Sequence, residues 1–308
     1  MEDTTKQKNR LWPLYVLGLS LTAFGFYFAF YQSDPPKPTA TAKVEGVGAG
    51  IDAVPKDLRR SDPQQFEIKA SPRRAKIWLE QSQDSREGGS VDTQLRFTMI
   101  DTPAGGLTFE RTYADVSIES QSDSKPLGAE IPDHVAELIE TVKHRITLQS
   151  NGQVEGYELV SSQSGQLAPL LAMLKDAMQM MSPQFPREPV NVDEPWSYRA
   201  PYDLSAEDGS VTAQGDYQVS STYRGVTTLN GADVAVVEQN IAGRAAGAFV
   251  SGESKMKFTT NGVGHAVFYV DVALGQVVKV GLVYEQVTSL GDKSGVQSTS
   301  RLTLEPAP

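Results

Sequence analysis

The sequence predicts an α+β protein, mainly antiparallel β. The expected body is a curved sheet or half-barrel built from two duplicated meanders. One or two amphipathic helices are expected to cover it, and an N-terminal transmembrane helix to precede it. Three observations carry this expectation. Apolar residues alternate with polar ones from about Phe66 onward. The stretch NGQVEGYELV, Asn151–Val160, is nearly repeated as LGQVVKVGLV, Leu274–Val283. A run without charge, LWPLYVLGLSLTAFGFYFAFY, occupies Leu11–Tyr31.

The run at 11–31 follows a basic segment, 1–10, that carries Lys6, Lys8 and Arg10. A bilayer core takes about 20 helical residues. Pro13 falls in the first turn, where a missing N–H costs nothing. Leu11, Trp12, Tyr27 and Tyr31 stand near the ends, and the three aromatics among them suit an interface. The run is longer than the apolar part of a cleaved signal peptide, and FAFYQSD is a poor cleavage site. A single-pass membrane anchor with a cytoplasmic amino end is the expectation, since the basic residues precede the helix. Residues 32–57, rich in Pro, Gly, Ala and Thr, read as a tether. The extracytoplasmic domain is then 58–308.

Within that domain, Leu95, Phe97 and Met99 alternate with Gln94, Arg96 and Thr98. Met256 and Phe258 alternate with Lys255 and Lys257, and Val278, Val280, Leu282 and Tyr284 form one face. Such alternation marks antiparallel strands with one buried and one wetted face. Asn-Gly pairs at 151–152, 230–231 and 261–262 read as tight turns. Sliding the chain by about 123 residues aligns strands and turns in the same order. Half-repeats at about 66–160 and 211–290 are expected. The segment 166–181 links them. There Leu167, Leu170, Leu171, Leu174, Met178 and Met181 fall at helical spacing. These six are the candidate ligand-lining residues, because a Met-rich apolar face adapts to varied partners. An ordinary core helix explains the same stripe. A shorter helical stripe holds Val135, Leu138, Ile139 and Val142, with Asp133 as its N-cap. Prolines in FPREPVNVDEPW end the linking helix and extend the connector.

Composition excludes several function classes. A net charge of −10 argues against nucleic acid as a partner. The densest basic spot, Arg73, Arg74 and Lys76, reads as a solvated strand end. Without cysteine there is no disulfide, thiolate site or thiol nucleophile. No phosphate loop, G-x-S-x-G, H-E-x-x-H or calcium loop occurs. His134, His144 and His265 lack ligand spacing and read as surface or strand-edge residues. Asp203, Glu207 and Asp208 read as a polar turn. No catalytic residue, metal or cofactor is expected.

Gly152, Phe185, Pro186, Pro189, Val190 and Trp196, in their order between two sets of strands, resemble a family of bacterial envelope lipoprotein-like proteins of unknown function. The plan also resembles the half-barrel carriers of lipoproteins and glycolipids. The missing catalytic motifs, the single span, the tether and the acidic outer domain lead to the expectation of a non-enzymatic binding module in the bacterial envelope, at the cytoplasmic membrane and facing the periplasm or cell surface. A lipid-like ligand or an envelope protein is the expected partner. The alternative is an interaction protein that docks through sheet edges or loops. An enclosed apolar cavity discriminates the two.

Overall fold

The structure is a computed structural model. It describes residues 53–61, 63–85, 89–122, 134–160, 180–203, 211–251, 254–290 and 293–307. The first meander comprises β1 (Arg73–Ser85), β2 (Gly89–Gly105), β3 (Thr108–Ser122), α1 (His134–Glu140), β4 (Lys143–Leu148) and β5 (Val154–Leu159). The second comprises β6 (Pro195–Asp203), β7 (Val211–Leu229), β8 (Ala232–Ser251), β9 (Ser254–Asp271), β10 (Val277–Leu290) and β11 (Lys293–Pro306). All eleven strands join one antiparallel sheet in the order β5-β4-β3-β2-β1-β11-β10-β9-β8-β7-β6. Each half is a meander of chain neighbours, and the pairing of β1 with β11 fuses them. Among the described residues the outer edges of β5 and β6 pair with no further strand, and the sheet is open.

The alternating residues explain the curl. Ala75, Ile77 and Leu79 of β1, Phe97 of β2, Tyr217 of β7, Phe268 of β9, Leu282 of β10 and Leu302 of β11 all bury into one cluster. Strands from both halves therefore turn the same face inward around one core. Phe66 and Phe185, from segments outside the strands, fill it and stack with ring centroids 4.4 Å apart. Their two segments also touch each other, through paired backbone bonds of 2.9 Å between Gln64 and Val190. On the outer face, Val234, Val236, Val267 and Tyr269 form a second, smaller cluster covered by Val54 and Leu58. That cover explains why HAVFYVDV is apolar on both faces.

This architecture corrects the expected fold class. Of the described residues 72% lie in strands and 3% in helix, so the protein is nearly all β. Among the described residues no pair of amphipathic helices covers the sheet; inward side chains and the two crossing segments form the core there. The seven-residue α1 packs on β3, with Ile139 and Val142 buried. Leu167, Leu170, Leu171, Leu174 and Met178 of the expected linking helix lie outside the described residues. Met181, at its end, is buried beside Met180. The expected membrane segment, with Leu11, Trp12, Tyr27 and Tyr31, also lies outside them. Among the described residues no helix is long and apolar enough to cross a membrane.

Two local expectations also change. Asn230-Gly231 forms the two-residue turn between β7 and β8, both residues at positive φ (53° and 83°). Asn261-Gly262 lies instead within β9, where the Tyr284 ring occupies the space a Cβ at Gly262 would fill. In β10 the register slips between Val277 and Lys279, so Val277 and Val280 both face the core. Val278 therefore packs on the outer cluster.

Candidate functional site

The repeated glycines mark the site. Gly152 follows β4 at φ 88°, and Gly275 follows β9 at φ 65°. A Cβ on Gly152 would stand 2.4 Å from the Pro183 carbonyl, and one on Gly275 2.2 Å from the Glu67 carbonyl. Each turn thus admits a crossing backbone only because it carries glycine. Side-chain acceptors set the turns. Asn151 Oδ1 accepts the Gln153 N–H at 3.2 Å, and Asp271 Oδ1 accepts those of Ala273 and Leu274 at 2.8 and 2.9 Å. The crossing segments are tied down by backbone bonds: Phe185 N–H to Asn151 O at 2.8 Å, Ile68 N–H to Ser150 O and Lys69 N–H to Leu274 O, both at 2.9 Å. Gly152 and Gly275 consequently line one cavity of about 60 Å³.

A row of polar residues runs across four strands at that cavity. Registry sets Arg73 opposite Asp101, Asp101 opposite Arg111, and Arg111 opposite His144. Arg111 grips Asp101 with two bonds, Nε to Oδ1 at 2.6 Å and NH2 to Oδ2 at 2.8 Å. Arg73 adds Nε and NH2 to Oδ2 at 3.1 and 2.8 Å, and its NH1 donates to the Val277 carbonyl at 3.0 Å. Side-chain exposure is 5% for Asp101, 8% for Arg111 and 20% for Arg73, so Arg73 alone of the three meets solvent appreciably.

The electrostatics follow from that geometry. Burial works to raise the Asp101 pKa, but Arg111 and Arg73 overcome it and hold the carboxyl down at about 2. Burial likewise opposes charge on Arg111, and Asp101 reverses this, so its pKa rises. For Arg73 burial dominates and the pKa falls. His144 is fully buried, and burial, with Arg111 adding to it, pushes its pKa down to about 3. The imidazole is neutral at pH 7. Its Nδ1 lies 2.8 Å from the Tyr113 hydroxyl, and its Nε2 is buried without a partner. The Tyr157 ring packs 4.6 Å from it, and the Tyr157 hydroxyl makes no hydrogen bond of good geometry. Burial raises the Tyr113 and Tyr157 pKa values.

The rest of the lining mixes apolar Phe109, Ile146, Leu148, Met181, Phe185 and Val277 with polar Ser71, Ser182 and Gln276, so the cavity is amphipathic. A second cavity of about 90 Å³ lies in the seam between the free edges, lined by Val154 of β5, Met180, and Tyr198 and Ala200 of β6. Trp196 closes the seam by donating Nε1–H to the Gln184 carbonyl at 2.9 Å. A shallow outer groove of about 620 Å³ crosses β6–β9 past Asn240 and His265.

Of the candidate ligand-lining residues, Met181 is brought to the cavity, and the other five lie outside the described residues. The expectation for His144 is corrected, since strand β4 turns it into the core. His265 sits on β9 with Nδ1 3.2 Å from Asn240 Oδ1. Among the described residues no group of His, Asp and Glu is arranged to hold a metal. Sequence reading missed Asp101, Arg111 and Tyr157, and took Arg73 for a solvated strand end. One signal was present: a lone Asp and a lone Arg each interrupt an inward apolar face, at MID in β2 and ERTY in β3.

No family model matches the chain, and no curated protein matches it. Among solved structures it is similar to the hypothetical lipoprotein YmcC from Escherichia coli K12, at 15% identity and a TM-score of 0.24, over 78% of this chain and 91% of that one. It is also similar to a loop-deletion mutant of OmpT, an outer membrane protein of Vibrio cholerae, at 10% identity and a TM-score of 0.15, over 76% of this chain and 98% of that one. Likenesses this slight identify neither a family nor a ligand.

Proposed function

We propose that the protein is a non-enzymatic binding module of the bacterial envelope, which holds a small ligand or one end of a larger one. The observation that carries this reading is the amphipathic cavity where the Gly152 and Gly275 turns meet. A site for a whole drug-sized ligand spans roughly 300–1,000 Å³. Enclosed spaces of about 60 and 90 Å³ suit a terminal group and not a complete lipid. The lipid-like ligand is therefore narrowed to a molecule that inserts one end. The envelope compartment is supported by the uncharged run at 11–31, the proline-rich stretch after it and the absence of cysteine.

Docking through sheet edges is the weaker reading. The free edge of β6 carries Pro195 and Pro201, which donate no hydrogen bond, and β5 has only six residues. Both edges are poor templates for an added strand. The full-length protein, exported in a bacterial host and purified in mild detergent, tests the choice by native mass spectrometry before and after solvent extraction. A bound mass of a few hundred daltons or more that disappears on extraction is expected. A clean protein mass in repeated preparations, with a co-purifying protein in fixed ratio, would overturn the reading.

A further inference from the structure

The chain carries three Asn-Gly pairs, and the fold gives them three different surroundings. Such a pair has a chemistry of its own. The backbone nitrogen of the glycine attacks the side-chain carbonyl carbon of the asparagine, because glycine has no Cβ to obstruct the approach. Ammonia leaves and a five-membered succinimide closes. Water then opens the ring, giving aspartate or isoaspartate. The reaction needs a glycine nitrogen that is not engaged in a hydrogen bond, an asparagine side chain free to turn, and a backbone able to bend around the ring.

Two of the pairs are held against it. At Asn151-Gly152 the attacking nitrogen donates to the Gln149 carbonyl at 3.0 Å, and Asn151 Oδ1 accepts the Gln153 N–H at 3.2 Å. Gly152 is also buried, against the Pro183 carbonyl. Asn261-Gly262 lies inside β9, paired with β8 on one side and β10 on the other, so two ladders hold its backbone extended. The third pair is open. Asn230 and Gly231 are both exposed at the tip of the β7–β8 hairpin. In this two-residue turn the closing pair is Leu229 and Ala232. Neither the Asn230 side chain nor the Gly231 N–H has a hydrogen-bond partner among the described residues, and nothing stands within 4 Å of the Cβ position at Gly231.

We infer that the fold singles out Asn230 as a modification site, where asparagine converts to aspartate and isoaspartate without an enzyme. The inference goes beyond the binding-module reading and does not depend on it. The change reaches the rest of the fold through the turn. Asp233 holds the Arg59 guanidinium and accepts from the Thr228 hydroxyl, and Arg59 pairs its backbone with Val226. These contacts fasten the segment whose Val54 and Leu58 cover the outer cluster. A carboxylate at position 230 adds negative charge near Asp233. Isoaspartate also adds one atom to the main chain of a two-residue turn, which strains the adjoining pairs Leu229–Ala232 and Thr228–Asp233.

The full-length protein, aged at mildly alkaline pH in native buffer and in urea and mapped by peptide mass spectrometry, tests this. In urea the three pairs should react at similar rates. In native buffer Asn230 should react at least about tenfold faster than Asn151 or Asn261, since those two react only from locally opened states. A native rate at Asn230 no greater than at the other two would overturn the inference. So would the same ranking by the same factor in urea, because the fold would then select nothing. Aged protein should also melt below fresh protein, with Asn230→Asp between them, since the variant has the charge without the extra atom. Equal melting of all three would overturn the coupling to the turn.

Discussion

At the scale of single residues, the cavity depends on a few side chains that tolerate little change. Asp101 is the only carboxylate between Arg73 and Arg111 in the row. Asp101→Asn should destabilise the protein by about 3–5 kcal/mol, because it leaves two guanidiniums without a counter-charge. Urea denaturation measures it. Replacing Arg111 by Met in the same background should recover part of the loss. His144 makes a second prediction. Its folded pKa is lowered to about 3, whereas an unfolded histidine titrates near the ordinary 6.5. Between those values the unfolded chain binds the extra proton, so stability rises with pH and is lost as pH falls. The slope should reach about 1.4 kcal/mol per pH unit between roughly pH 6 and pH 4. Asp101 adds to the slope only at the acid end of that window, since its own stabilisation starts to fall as pH nears the unfolded value of 3.8 and goes on falling towards 2. His144→Gln should flatten the slope in melts taken from pH 7 to pH 4. A slope unchanged in the variant would move the effect to another group.

At the scale of elements, the two glycine turns explain why one chain says nearly the same thing twice. Each turn is a place where a returning segment must cross a hairpin at backbone contact. Gly152→Ala and Gly275→Ala meet both a positive φ and a carbonyl within 2.4 Å. Each should cost roughly 2–4 kcal/mol, at the upper end for point changes. Gly231→Ala, at φ 83° with open space around its Cβ position, meets the backbone strain alone and should cost about 1–2 kcal/mol. Thermal unfolding of the three variants compares them directly. If all three lose the same amount, the crossing contacts contribute nothing. The strands themselves are ordinary in what they bury, and Leu302→Ala on β11 should cost about 2–5 kcal/mol as a cavity.

At the scale of the whole molecule, β11 makes one sheet of two meanders. It pairs with β1 over ten residues, from Ala75 to Asp84, and with β10 on its other side. The core cluster also draws on both halves. The two halves should therefore unfold together. Trp78 on β1 and Trp196 on β6 report the separate halves. Single-tryptophan variants, with Trp12 also replaced, should give coincident urea transitions. Two separated midpoints would show that the β1–β11 pairing does not couple the meanders. Phe66, Phe185, Tyr223 and Tyr284 take up the inside of the curl.

The sequence by itself determined that the body is mainly antiparallel β, and it placed the inward face of β2 and the turns at Gly152 and Gly231. It did so because period-two alternation and turn chemistry are local. It did not determine that, among the described residues, inward side chains and the segments carrying Phe66 and Phe185 form the core in place of amphipathic helices. It did not reveal that Val278 faces outward, because a bulge shifts the phase without changing the composition. Only the tertiary structure decided the site. Arg73, Asp101, Arg111 and His144 are spread over 72 positions of chain (144 − 73 + 1), and registry alone lines them up across four strands. Only the folded chain shows that Arg73 is a cavity wall, because its strand-end sequence is the same whether solvent or Phe185 lies beyond it.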